Sequence, residues 1–531
     1  MQNKNLLLIT TFLLFSCNNT TISSNGKHQV IFKNGNEILK TLEVNHGENA
    51  LFNEDLPTKE STDKNYIYDF IGWDHSLKNI QSDLVINAIY QVIKDEEIED
   101  GDFLYRPIYD ESIFSLTGYE LRFYNNLEFE GDLIVPSQYN NLPILRIGEA
   151  CFMDTLISNI SLPETIKVID AYAFNSCENL QSLNIPNECK ILKNAAIFYD
   201  NNLTNISLNN LEFIGADNFH ICPKLESLSI NENNINFTIE NNILYNYDFS
   251  SLIKVPEHLS NVTINNQTTK LEEEALSRLN NATKLIIPES IETISKKAFF
   301  ESKIEEITIE GNITTIEDQT FSHCINLKKI SLPNTIETIN YRAFYHCEKL
   351  EDISLPDTLK SIGDFSFAYC YNLKDFYIPS SLNNIGYGAL DEQDSLTRFT
   401  INDNNKSFKV FDDCLYSSDY SKLIRVPQTK DNIVYHEDVK IIGSGAFYKC
   451  QEFTEFNLPD DITTIEDYAF YFVNTVYHLN IPDSVLTIGE GAFQNMEILV
   501  DIHLPINLTI IEKNLFDSCP LLQEVNIPYK V

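Results

Sequence analysis

The sequence predicts a repeat solenoid, a stack of coils of about 23 residues each, preceded by a small β-rich module. Each coil is expected to supply a short parallel β-strand plus a turn or short helix. Three observations carry this prediction. Between Ile313 and Leu382 one pattern is repeated three times, with Pro333, Pro356 and Pro379 each 23 residues apart. A unit of that length cannot bury its apolar side alone and must stack on its neighbours. The alternation I-x-L before each proline gives a strand with one face inward, and proline, which has no N–H to donate, ends it. Finally, two longer units, Ile230 to Pro288 and Ile401 to Pro459, are copies of each other. Ile243-Leu-Tyr245 matches Cys414-Leu-Tyr416, and Leu252-Ile-Lys-Val-Pro256 matches Leu423-Ile-Arg-Val-Pro427, 171 positions later. A block of several coils has been duplicated.

Length does not count domains in such a chain, because a stacked array of 531 residues can be one continuous body. Charge is more restrictive. With 77 acids against 38 bases the formal charge is −39, which argues against nucleic acid and against electrostatic docking on anionic lipid.

Residues 1–16 have the form of an export signal, with Lys4 ahead of an apolar run from Leu6 to Phe15. That run is too short for a stable membrane span. Leu14-Phe15-Ser16-Cys17 resembles the bacterial lipoprotein signal, which implies that Cys17 carries lipid; Phe15 is larger than that slot usually holds. The alternative is an ordinary secretory signal. Residues 17–27 are small and polar, as a tether should be. Residues 28–93 contain short strand patterns around the turn Asn34-Gly35-Asn36. With His46-Gly47-Glu48, Phe70-x-Gly72-Trp73 and Ala88-x-Tyr90, this segment resembles the internalin-type B-repeat, which implies a small grasp-like β module of exported bacterial surface proteins. Trp73, the single tryptophan, is expected to fill its core. The acidic run 94–103 reads as a linker, and 104–146 as the N-terminal cap of the solenoid.

From 147 to 531 the template is I-x-x-x-A-F-x-x-C-x-x-L-x-x-I-x-L-P-x-x-I. Its A-F-x-x-C part has the spacing of one helical turn and should stack Phe174, Phe299, Phe321, Phe344, Phe367, Phe447, Phe470, Phe493 and Phe516 in a column. This template, the long coils and the Pro136-Ser-Gln-Tyr-Asn-Asn-Leu-Pro-Ile144 segment resemble the BspA-like leucine-rich-repeat family over residues 104–531. The resemblance implies a cell-surface protein with an adhesive or ligand-binding role and no turnover.

Several constellations invite chemistry. Cys177, Cys222, Cys324, Cys347, Cys370, Cys450 and Cys519 share one phase, where other coils place Thr155, Ser302, Val473 or Met496, so the slot reads as a small buried position holding free thiols. His323-Cys324 and His346-Cys347 lie one period apart, the sharpest zinc-like pattern in the chain. An inward cysteine turns its neighbour outward, however, and both cannot hold one ion. Gly386-x-Gly388, Gly443-x-Gly445 and Gly489-x-Gly491 occupy one repeat slot and read as turns, since the third glycine of a phosphate loop is missing. Neither a catalytic cluster, a cofactor nor a metal is expected.

What remains is surface. Outward strand positions form polar rows, and their centre, Asp352, Asp375, Tyr377 and Arg398, combines charge with one aromatic anchor as a candidate ligand-binding face. The expectation is a monomeric, lipid-anchored protein on the extracellular face of a bacterial cell membrane, or a secreted one, whose partner is an extracellular protein or glycan. The alternative is an envelope scaffold or a lipoprotein that captures nutrient or polysaccharide.

Overall fold

The computed structural model describes residues 26–52, 55–123 and 129–531, so Cys17, the export signal and most of the tether lie outside the described residues. The chain divides into two compact units. One comprises the residues up to Asp95 together with Ile108–Leu116; the other comprises Glu96–Pro107 and Thr117–Val531.

In the first unit, strand Lys27–Asn34 forms an antiparallel hairpin with Glu37–Asn45 and runs parallel to Leu84–Lys94, which pairs antiparallel with Tyr66–Trp73. Alternate residues of these strands point inward, and Val30, Phe32, Val44 and Ile86 form the core with Ala50 and Ile80. Trp73 packs against it as expected, its ring 4.9 Å from Phe32, 4.7 Å from Phe52 and 5.1 Å from Phe70. Within the acidic run, Ile98–Asp100 is itself a strand of the second unit.

The second unit is the expected solenoid, with two differences. Each regular coil contributes two short parallel strands instead of one. Lys329–Ser331 pairs with Glu306–Ile309 on one side and Asp352–Ile353 on the other, while Thr338–Ile339 pairs with Thr315–Ile316 and Ser361–Ile362. The A-F-x-x-C segment, moreover, is not a helical turn, and no helix occurs among the described residues. Arg342 and His346 have φ of 52° and 57°, a left-handed pair four residues apart that recurs from coil to coil. Such residues reverse the peptide plane, so amides point alternately along the coil and out of it. The N–H groups of Ala343, Tyr345 and Cys347 donate to carbonyls three residues back, whereas those of Arg342, Phe344 and His346 donate to Asp364, Ser366 and Ala368 of the next coil. A helix would satisfy every amide within its own coil. These turns instead tie each coil to the next, which offsets the cost of the strained residues.

Between the strands lies the phenylalanine column. Phe321, Phe344 and Phe367 are fully buried with centroids 5.2 and 5.1 Å apart. Phe447, Phe470 and Phe493 continue it at 4.9 and 5.7 Å. The apolar interior falls into three segments that meet at the hairpins of the long units: Leu244 belongs to the first and Ile243 to the second, Leu415 to the second and Cys414 to the third.

Candidate functional site: a strand face and two seams

The strand face is built as the alternation requires. Asp375 and Arg398 face each other in register on the parallel strands Asp375–Ile378 and Arg398–Ile401, both exposed, with Phe376 and Phe399 buried behind them. Arg398 donates from Nε to Asp375 Oδ1 at 2.8 Å and from a terminal nitrogen to Oδ2 at 2.9 Å. This fork holds the Asp375 carboxyl below its ordinary range. Tyr377 is half-buried, and its hydroxyl accepts a hydrogen bond at 3.1 Å from Asn402, whose amide also donates to Asp357. Asp352 lies on the neighbouring strand, in register with Lys329. Asp375, Arg398 and Tyr377 are therefore brought together. Their charges, however, are spent on each other, and an exposed pair of this kind contributes little to stability.

The cysteine slot has a function that packing alone does not explain. Cys324, Cys347 and Cys370 donate from Sγ to the carbonyls of Phe299, Phe321 and Phe344 at 3.1, 3.2 and 3.3 Å. Each thiol thus bonds the coil before it. All ten described cysteines are free, and burial pushes the thiols up, to about 12 for Cys189 and Cys450. Beside this inward row the rings of His323 and His346 stack 4.9 Å apart, outside the core. Histidine and cysteine therefore point apart, as the repeat implied.

The long units depart from the repeat in a way the sequence reading passed over. In each, a β-hairpin interrupts the coil, the strand after it is not followed by an A-F turn, and the basic residue that ends this strand is buried in the gap. In the first, Lys254 is buried and donates to the carbonyl of Glu274 at 3.2 Å and to Ser277 Oγ at 3.0 Å. Around it, Glu274 Oε2 lies 2.5 Å from His220 Nδ1, and Arg278 donates to His220 Nε2 at 3.1 Å. Burial lowers the Lys254 ammonium and raises the Glu257 carboxyl. Burial would raise Glu274 as well, but His220 and Lys254 outweigh it and hold that carboxyl low.

In the second unit Arg425 stands where Lys254 does. Its guanidinium donates to the carbonyl of Leu390 at 2.7 Å, to Asp391 Oδ1 at 2.7 Å and to the carbonyl of Gly445 at 2.8 Å, bridging the turns on either side of the gap. Tyr448 donates to Glu392 Oε1 at 3.1 Å, and Lys449 pairs with the same carboxylate. Buried charge clusters therefore leave the period at both seams, contrary to the expectation that none does. A signal was present: in Leu252-Ile-Lys and Leu423-Ile-Arg the basic residue is two positions from a core leucine, hence on the same face.

This geometry defines a class of protein: a stacked solenoid, apolar within, that presents polar strand and turn surfaces and is tied at two seams by buried ions. The chain belongs to the BspA type leucine-rich-repeat family, whose profile matches residues 145–259, 253–347, 293–422 and 428–531. No curated protein matches it. Among solved structures it is similar to a leucine-rich repeat protein from Bacteroides ovatus, 21% identical over 82% of this chain and 95% of that one, with a TM-score of 0.37. It is also similar to a leucine rich cell surface protein from Faecalibacterium prausnitzii, 18% identical over 81% and 94% of the two chains, TM-score 0.32. The pneumococcal vaccine antigen PcpA is 13% identical over 81% and 87%, TM-score 0.32.

Proposed function

We propose that this is an exported, surface-exposed binding protein that engages an extracellular protein or glycan through its strand face, without turnover. The observation that carries the proposal is the pair of outward rows. Lys329, Ser331, Ser354, Asp375 and Asn480 are exposed, each beside a buried core residue, so the scaffold leaves these positions free to vary. Repetition multiplies weak contacts along one direction, which favours an extended partner. In this proposal Cys17 carries the lipid anchor and residues 28–93 act as an internalin-type B-repeat spacer. Asp352, Asp375, Tyr377 and Arg398 form the centre of the contact face.

The test is capture by residues 18–531 from host matrix proteins and, in parallel, from cell-envelope fractions. Retention of a matrix component that is lost with Asp375→Ala, Tyr377→Ala and Arg398→Ala is the expected result. Retention that survives all three substitutions sinks the strand-face assignment, and a hydrolase screen that scored positive would overturn binding without turnover. Mass spectrometry of the mature N-terminus decides whether Cys17 is acylated.

A further inference from the structure

The second seam encloses a pocket of about 210 Å³ that the repeat does not generate. Two of the Gly-x-Gly pairs meet across it: Gly386, Gly388 and Gly445 all belong to its wall. Gly388 and Gly445 have φ of 61° each. At Gly388 a Cβ would stand 2.5 Å from the Phe365 ring, which would have to shift to admit a side chain. Tyr387 and Tyr468 supply aromatic surface, Tyr448 being covered by the Arg425 guanidinium and the Tyr471 ring, and Asp391, Lys422, Arg425 and Ser444 supply polar groups. Tyr387 is 56% exposed, and its ring contact among the described residues is with Phe365, on the side of the preceding coil. Where the turn column breaks, the stack of rings breaks with it.

The charges of this wall are already matched. Arg425 is held by Asp391 and two carbonyls, and Lys422 Nζ lies 2.6 Å from Glu466 Oε2. An anion would have to compete with those carboxylates, in a chain of formal charge −39. A neutral polyol would not. It needs ring faces for its C–H surface and fixed donors and acceptors for its hydroxyls, and both are present here. The volume is below that of pockets for drug-sized ligands, and it suits one small polar ring.

We propose that this pocket binds a single pyranose ring of a neutral oligosaccharide or polysaccharide, stacked against tyrosine. The site lies on the turn side of the coil and does not depend on the strand-face proposal.

The first seam supplies the control. The position equivalent to Gly445, 171 residues earlier, is Glu274, whose φ is 57°. A glutamate therefore adopts that backbone, and a Cβ at Gly445 would meet Arg425 at 3.4 Å, an ordinary contact distance. Gly445→Glu is accordingly a plug that the fold tolerates. The experiment is calorimetric titration of residues 18–531 with maltohexaose, cellohexaose, mannohexaose and a β-1,4-galactan hexasaccharide. Saturable binding of at least one is expected, weakened about tenfold by Tyr387→Ala and abolished by Gly445→Glu. Thermal melting of each variant verifies that the stack is intact. No binding by any of the four, or binding that persists in both Tyr387→Ala and folded Gly445→Glu, overturns the proposal.

Discussion

The two seams began as one sequence and solve the same backbone problem with opposite contents. Each omits an A-F turn and fills the gap with the basic residue that ends the strand before it, Lys254 in one and Arg425 in the other. In the first seam the remaining space holds His220, Glu274 and Arg278, which close it with buried charge. Equivalent places in the second are Asp391, Gly445 and Lys449, and opposite the pocket Tyr387 and Tyr448 stand where the first has Ala216 and Ser277. The first seam is a plug and the second an opening. A broken repeat thus frees side chains from packing, and chemistry enters at the break.

The largest effect should come from removing the bridging cation. Arg425→Ala leaves Asp391 and two carbonyls without their donor and should lower stability by about 3 kcal/mol or more, measured by urea unfolding. Lys254→Met should cost less, because burial already disfavours that ammonium and methionine fills the same space. Equal losses at the two seams would break the comparison.

Next comes pH. Glu274 is held below its ordinary value, so its contribution is complete above the unfolded carboxylate range and is lost as pH falls through its depressed folded value. Glu274→Gln should therefore destabilise by roughly 1 kcal/mol at pH 7 and by progressively less as the pH is taken below 4. A difference that does not shrink as the pH is lowered would remove the ionic account of the first seam.

Gly445→Glu should cost about 1 kcal/mol, the strain of a side chain in the left-handed region. A larger penalty would mean that the second seam cannot accept the contents of the first. The smallest effect is expected on the strand face, where Arg398→Ala should leave the melting temperature unchanged because its partner stays hydrated.

Much of this architecture was legible in the sequence. Period, proline-terminated strands, phenylalanine column and duplicated block all follow from spacing, because stacking forces equivalent residues into equivalent environments. The turns did not follow. A-F-x-x-C spacing is the same for a helical turn and for a run of reversed peptides. What distinguishes them is the left-handed residue, marked only where Gly388, Gly445, Gly491, Asn495 or Asn514 holds the slot, because Arg342, Lys449 and Tyr468 occupy it elsewhere. Inward cysteine and outward histidine were readable from comparison across coils, whereas the bond from each thiol to the preceding phenylalanine carbonyl was not, since it depends on which carbonyl the turn leaves unspent. Of the candidate face, the outward direction of Asp375, Tyr377 and Arg398 was clear. Their mutual pairing was not, because register across strands is a property of the stack. Lys254 and Arg425 share the face of the core leucine two positions before them, and the missing turn is what gives them room to point in.

Hydrogen exchange on Arg425→Met, compared with the parent chain, tests most directly whether a buried cation ties the stack together where the repeat fails. Amides of the flanking turns, residues 386–392 and 443–450, should exchange roughly a hundredfold faster, the equivalent of about 3 kcal/mol, while residues 313–362 keep their protection. Exchange that rises in step along the whole solenoid, or nowhere, would contradict the account.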